Sequence, residues 1–483
     1  MNRESVAWTD RFQSRLGRLS TTEVSSQAHF VFLVGAFATA GFIAVLSWIR
    51  AVRLSPDGLT TDSGARTTLI ALAVAFLLAI AVRSIHVWAP RTLRFLAPVV
   101  TITFVAVAGF LFGTGRLDAA YSLYGGLQVL RSDKLFSDSH WVLSWFDCGL
   151  CARWDPHYGP TLQWLDPLTG GMIGLDWLMP IGLALALLGA LALWLLGIAA
   201  RGFPLWLIAV SAVSPAWLLL VDRANADLVI FVASVIGLFI VAKYPSLTSW
   251  SLYAAGLWVL GTIKYFPFAM GAGLLLALAI PKGWRVVAGF LLASGVFMFL
   301  AWDSYTRSSE WNSTAILVLG DFPAYGRIQV TEMVTGLDGS SGPVWLVPVL
   351  LIALTALTAA WGWSSTTTPK EFKAQIMVGS LALSGAAAFL GKVLWGGFGF
   401  LYSGVFLLMV VPMFSGWRGG QSLKNGSHVA AGALFILAVF TAYNTMLATL
   451  SGLMVAGFAV GGGLRIAIAA GNDRALLAER ALT

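Results

Sequence analysis

The chain has 483 residues, of which 58% are hydrophobic and only 11% charged. A soluble domain carries about 25% charged residues, and a disordered chain combines low hydrophobicity with high net charge, so both classes are excluded. Its apolar runs are continuous and do not alternate, which excludes a transmembrane β-barrel. The expected class is an all-α, polytopic transmembrane helical bundle. The net charge of +8 fits basic cytoplasmic loops and gives no reason to invoke nucleic acid.

Residues 1–29 are polar, contain Arg3, Arg11, Arg15 and Arg18, and lack an apolar core, so they read as a cytoplasmic tail rather than a cleavable signal. Apolar segments follow at 30–49, 68–86, 95–113, 172–198, 203–221, 226–242, 249–262, 265–281, 286–302, 344–363, 374–391, 397–416, 428–447 and 453–470. A spanning helix needs about 20 apolar residues, so these predict about fourteen spans. The segment at 249–262 is short and ends before a lysine. Residues 471–483 read as a second cytoplasmic tail.

With the N-terminus inside, seventeen of the thirty basic residues fall in the cytoplasm and twelve outside, and Arg465 lies within the last span. That asymmetry predicts both termini in the cytoplasm, in a multi-pass protein of a bacterial inner (plasma) membrane. Two long loops, 114–171 and 303–343, then lie on the outer face. Loops of this length are usually functional or disordered. Their aromatic residues, among them Trp141, Trp145, Trp154, Trp164 and Trp311, point to ordered structure.

The first loop opens with Asp118-Ala-Ala-Tyr121. An acid at the membrane surface can serve as a general base toward a hydroxyl, or merely sit at a helix N-terminus. Further on, Pro156 and Gly159 bracket His157 and Tyr158 in a turn, which either presents those side chains to a cavity or is purely structural. Cys148 and Cys151 are the only cysteines. On the outer face they fit a local disulfide; with His140 and His157 they have zinc-like spacing, and a redox pair or free thiols are further readings.

Asp222-Arg223-Ala-Asn225-Ala-Asp227 occupies a tight outer turn between two apolar segments. Such charges in a membrane are costly unless paired or functional, and helix capping with an Asp–Arg pair is the plain alternative. The next outer turn is Lys264-Tyr265-Phe266-Pro267, which puts Arg223 and Lys264 on one face, where two cations suit a lipid-linked phosphate. Snorkelling side chains would look the same. In the second loop Arg307 and Arg327 are further candidates for phosphate or sugar contacts, with simple solvated charge as the plain alternative. No Walker A, dinucleotide or HExxH motif is present.

Taken together, these elements resemble the polytopic glycosyltransferases of the GT-C class, in particular the bacterial branch of polyprenyl-phosphate-mannose-dependent enzymes. Asp118-x-x-Tyr121 is similar to the acidic start of that class's first catalytic loop. Asp222-Arg223-x-Asn225-x-Asp227 resembles its Glu-Arg-Gly-Asn-x-Asp turn, and Lys264-Tyr265-Phe266-Pro267 its Lys-x-Tyr-Pro turn. Tyr158-Gly159-Pro160 sits where the branch has a Tyr-Pro-Pro or Tyr-Gly-Pro element. In the family the acidic loop follows the first span, whereas here it follows the third.

The organisation this implies is a prepended hairpin at 30–94, a GT-C-like core at 95–302 with its catalytic loop at 114–171, the second loop at 303–343, and C-terminal helices at 344–470. The resemblance further implies inverting sugar transfer on the outer face, with Asp118 as general base. Arg223, Lys264, Arg307 and Arg327 would bind the donor phosphate. Tyr121, His157, Tyr158, Asn225, Asp227 and Tyr265 would contact substrate. The partners would be a polyprenyl-phosphate sugar, a glycan or glycolipid acceptor and membrane lipids, with no nucleic acid. No cofactor is required and no metal ligands are assigned, although a divalent metal would be compatible with the chemistry. A transporter or lipid flippase, or an O-antigen-type polymerase or ligase, are the competing classes. A transporter would place ionisable groups near the bilayer midplane, whereas here they mostly cluster at the outer interface, with Arg465 in the last segment and Asp176 near the start of the fourth as the exceptions.

Overall fold

The computed structural model describes residues 178–200, 204, 207–208, 211, 214–223, 225–302, 324–325, 330–331, 346–395, 399–415, 422–440 and 445–480. Asp118, Tyr121, Cys148, Cys151, His157, Tyr158, Asp176, Arg307 and Arg327 lie outside them.

The described chain is almost wholly helical. In order come α1 (Leu178–Ala199), α2 (Pro215–Arg223), α3 (Ala226–Lys243), α4 (Leu247–Ile263) and the short α5 (Pro267–Met270), which tightens into a 3-10 stretch over Gly271–Ala279. Then follow α6 (Trp284–Leu300), α7 (Leu346–Ser365) and α8 (Phe372–Leu390), the last running into a π-helical turn, Gly391–Trp395. A 3-10 segment over Leu401–Ser415, α9 (Ser422–Phe440) and α10 (Thr445–Arg480) complete the series. From 172–198 onward, every apolar segment read from the sequence meets one of these helical segments.

Composition explains the helices. In a bilayer every backbone N–H and C=O must be satisfied within its own segment, which a helix does. Four segments among the described residues are long and apolar enough to cross a membrane: Ala226–Lys243, Leu346–Ser365, Phe372–Leu394 and Met446–Asp473, with mean hydropathies of 2.2, 1.9, 1.6 and 1.8. The short segment at 249–262 is a complete 17-residue helix. Its start is fixed by a capping box in which Ser246 and Ser249 exchange side-chain-to-backbone hydrogen bonds. At the other end of the chain, α10 continues as helix to Arg480, through most of the stretch read as a tail.

α8 and α10 form the centre. α8 packs against α10, the 401–415 segment, the 271–279 stretch and α3, while α7 and α9 lean on α10 from outside. Two-thirds of the α8 span (67%) is buried against only 22% of α7, so α8 is enclosed by the bundle and α7 lies at its edge. The α7–α10 contact is a backbone approach: a Cβ on Gly461 would lie 1.8 Å from the Ala359 carbonyl oxygen, and one on Gly457 2.5 Å from that of Thr355. Small residues at such crossings are how membrane helices gain close packing.

Beside this helical assembly the described residues hold one strand pair of two residues each, β1 (Ala324–Tyr325) against β2 (Gly399–Phe400), antiparallel, with Ala324 opposite Phe400. It brings the chain of the second long loop to the start of the 401–415 segment.

Arg465, which the sequence leaves inside the last apolar run, has a structural partner. Its Nη1 donates to the carbonyl oxygens of Trp363 (2.6 Å) and Ser364 (3.2 Å). These are among the terminal carbonyls of α7 that have no partner within their own helix, so the guanidinium acts as a C-terminal cap.

Candidate functional site

Three helix ends meet at one point. α3 begins with Asn225 as its N-cap: the side-chain oxygen accepts a hydrogen bond from the Asp227 N–H at 2.9 Å, and Asp227 lies in the first turn. α4 ends at Lys264, whose backbone has left the helix for an extended conformation. α8 ends in the π turn that carries Lys392. Each charge stands at the helix end its sign favours, the carboxylate at an N-terminus and the ammoniums at C-termini.

The side chains converge on Asp227, which has no exposed surface. Lys264 Nζ donates to Asp227 Oδ1 at 2.9 Å and to Asn225 Oδ1 at 2.9 Å. Lys392 Nζ donates to Asp227 Oδ2 from the opposite side, and to Ser403 Oγ at 3.0 Å. The carboxylate is thus held by two ammonium groups, one on each oxygen. Burial of a charge in this way is tolerable only when it is paired and hydrogen-bonded. Both lysine side chains keep a small accessible surface, 14% for Lys264 and 13% for Lys392, whereas Asp227 has none.

The floor beneath it is aromatic. Lys392 Nζ lies 4.5 Å from the centroid of the Phe266 ring and 5.6 Å from that of Phe406, within cation–π range. Phe266 and Phe406 meet edge to face at 5.0 Å, and the stack continues through Phe231 to Trp217. The turn after Lys264 therefore has a clear local logic: Phe266 enters the stack, and Pro267 opens α5 at a position where its missing N–H costs nothing.

Between α3 and α4 lies a crevice of about 240 Å³ lined by Ala233, Ser234, Gly237, Tyr253, Gly256 and Leu260, among others. Its lining is apolar, and Ile240 and Leu252 on its rim are 52% and 69% exposed. Gly256 leaves open space where a side chain would stand. At about 1.5 Å of rise per residue, Leu260 lies roughly 6 Å along α4 from Lys264, and Ala233 roughly 9 Å along α3 from Asp227.

Of the site residues read from the sequence, the structure brings Asn225, Asp227 and Lys264 together. Arg223 closes α2 two residues before Asn225, and Tyr265 directly follows Lys264; both are partly buried. Lys392 and Ser403 were missed by that reading. The available signal was a single lysine in Gly391-Lys-Val-Leu-Trp-Gly-Gly397, between two apolar segments and on the side assigned as outer. Among the described residues no group of three or more His, Cys, Asp or Glu side chains could hold a metal ion.

Comparison with protein-family models, curated proteins and solved structures finds no match.

Proposed function

We propose that this chain is a membrane glycosyltransferase of GT-C type, with about fourteen spans, that moves a sugar from a polyprenyl phosphate to a glycan or glycolipid acceptor on the outer face of the inner membrane. The observation that carries the reading is the meeting of Lys264 and Lys392 around buried Asp227 at helix ends. Cations at the membrane surface suit the phosphate of a lipid whose chain stays in the bilayer. The α3–α4 crevice, apolar and a few ångströms below Lys264, suits the first isoprene units. A transporter would need its ionisable site near the midplane, whereas this cluster sits at helix ends and Arg465 is occupied in capping α7.

In the proposed reaction the acceptor hydroxyl oxygen attacks the anomeric carbon from the face opposite the phosphate. The new C–O bond forms as the bond to the phosphate oxygen breaks, inverting the configuration. The hydroxyl proton passes to the Asp118 carboxylate and from there to water. Charge growing on the departing polyprenyl phosphate is stabilised by Arg223 and Lys264, with Arg307 and Arg327 from the second loop. Tyr121, His157, Tyr158 and Tyr265 would shape the sugar and acceptor positions, and Asn225 and Asp227 hold the cations in register. Because a phosphate leaves onto fixed cations, the step does not depend on a metal.

The test is a donor screen in membranes containing the protein, using labelled polyprenyl-phosphate mannose and arabinofuranose. Label should move from donor to a glycan or glycolipid fraction. Asp118→Asn should lower that rate by about 10²–10⁴-fold, the usual contribution of a general base. Unchanged transfer in a folded Asp118→Asn protein would remove Asp118 from the role, and no transfer from any lipid-phosphate sugar would remove the reading itself.

A further inference from the structure

We infer that the end of the bundle where α3 turns into α4 and α6 begins is a docking surface for an anionic phospholipid of the surrounding leaflet. Lys243, Lys282 and Arg285 take its phosphate, and the apolar faces of α4 and α6 take its acyl chains. The surface lies at the opposite ends of α3 and α4 from the Asp227 cluster, and the inference is independent of the transferase reading.

Charge is the first observation. No Asp or Glu occurs from Leu228 to Trp302, so the four basic residues of that stretch have no acid beside them in the sequence. Lys264 turns to Asp227 at one end. Lys243, Lys282 and Arg285 stand at the other, all exposed, and among the described residues none of the three forms a salt bridge. α3 and α6 both pack on α4, and the Pro267–Ala279 stretch returns the chain against α4 and α6. α4 and α6 therefore run the same way, with Trp258 late in one stacked on Phe297 late in the other. The three cations thus border the start of α4.

The start of α6 is the second observation. A helix N-terminus favours acids, yet α6 has none in its first turn, its N-cap Gly283 supplies no side-chain cap, and Lys282 and Arg285 stand there instead. The turn that sets them is tight. Lys282 takes φ 61°, in the left-handed region that a side chain rarely adopts, and a Cβ on Gly283 would lie 1.7 Å from the Ala277 carbonyl oxygen. Backbone held in such a conformation clusters at functional sites. An anion here offsets the helix dipole and both cations together.

The third observation is what flanks the charge. Lys243 Nζ lies 5.2 Å from the Tyr244 ring centroid and the Arg285 guanidinium 5.7 Å from that of Trp284, and Tyr244 and Trp284 are both exposed. Such rings belong at the headgroup level of a bilayer. From there α6 presents Leu291 and Leu292, 63% and 71% exposed, α4 presents Leu252, and Gly289 leaves open space beside them. A basic cluster with interfacial aromatics, continued by an apolar face, fits a phosphate tied to hydrocarbon better than a free anion.

The experiment titrates the purified full-length protein in detergent with phosphatidylglycerol and with phosphatidylcholine of the same acyl chains, reading bound lipid by native mass spectrometry. The ratio of the two affinities within one preparation is unaffected by a loss of folded protein. Wild type should prefer phosphatidylglycerol, and less so as salt rises. Lys243→Gln and Arg285→Gln should each cut the preference about fivefold, the scale of one cation at an anionic surface. The triple variant Lys243→Gln, Lys282→Gln, Arg285→Gln should abolish it, and Arg285→Lys should keep most of it. Lys370→Gln with Lys373→Gln removes two cations around Glu371 at the start of α8 and should change it little.

A wild type without preference, or a triple variant that keeps it, overturns the docking surface. So does an equal loss in the Lys370, Lys373 variant, because the effect is then the general basic bias of one membrane face. Glycerol phosphate that displaces the lipid at equal concentration would overturn it as well, by showing a site for a free anion.

Discussion

Asp227 is buried and held by two ammonium groups, one on each oxygen, and its substitution separates structure from charge. Breaking a buried pair by removing one partner typically costs about 3–5 kcal/mol, because the remaining charge is left without its counter-ion. Asp227→Asn leaves two ammonium groups facing each other across a neutral amide, so destabilisation in at least that range is expected, seen as a lower thermal unfolding temperature in detergent. The double variant Asp227→Asn, Lys392→Met should regain much of the loss, since it removes one of the two uncompensated cations. If the double variant is no more stable than the single one, the pairing is not what holds these helix ends together. Asn225→Ala acts one step away: it removes the α3 cap and an acceptor for Lys264, and the cap alone is worth about 1 kcal/mol.

Residue-level reading of the sequence reached three of the five side chains in this cluster. Asn225, Asp227 and Lys264 were legible because each lies in a short turn between apolar runs, where a charge is conspicuous, and because the two turns are successive on one face. Lys392 and Ser403 were not. They belong to a later pair of helices, and only the packing of α8 and the 401–415 segment against α2 and α3 brings them in. A lone lysine between apolar runs reads equally well as a snorkelling side chain, and nothing local tells which carboxylate it will find.

Among the elements, α7 and α10 make the tightest contact, and glycine is what permits it. A leucine at Gly461 would drive its Cβ against the Ala359 carbonyl oxygen of α7, and backbone cannot yield as a side chain can. Gly461→Leu is expected to separate the two helices at a cost of about 1–3 kcal/mol or more, the range for overpacking, read as reduced yield of monodisperse protein and a lower unfolding temperature. Gly256→Leu is the internal comparison: its position on α4 has nothing within 4 Å, so it should leave stability near wild type while filling the crevice. Arg465 tests the same level differently. As a cap on α7 it should tolerate Arg465→Gln with a loss of about 1 kcal/mol and no change in sugar transfer; a substrate site in mid-membrane would lose its function with that change.

Over the whole molecule, the described helices sort their charges by end, and this makes the orientation testable. α3 leaves its apolar run at Lys243, α6 enters at Arg285 after Lys282, and α8 enters beside Lys370 and Lys373; the opposite ends carry Arg223, Lys264 and Lys392. Helix polarity alone forces this division: α3 and α4 are joined by a short turn after Lys243, so the start of α3 and the end of α4 share a side. The positive-inside bias then leads to the expectation that the Lys243 end lies in the cytoplasm and the Asp227 cluster on the outer face. The sequence could supply the alternation of spans and the basic bias, but not that Lys264 and Lys392 would meet on one buried carboxylate.

Single cysteines can read that assignment directly, in a Cys148→Ser, Cys151→Ser background. Tyr244, at the foot of α3, is 58% exposed, and Trp302, just past the far end of α6, is 57% exposed. A membrane-impermeant maleimide should label Trp302→Cys in intact spheroplasts and Tyr244→Cys only after the membrane is inverted or opened. The reverse pattern would turn the Asp227 cluster toward the cytoplasm, where the donor phosphate would have to be presented from the inner leaflet, and outer-face sugar transfer would fall with it.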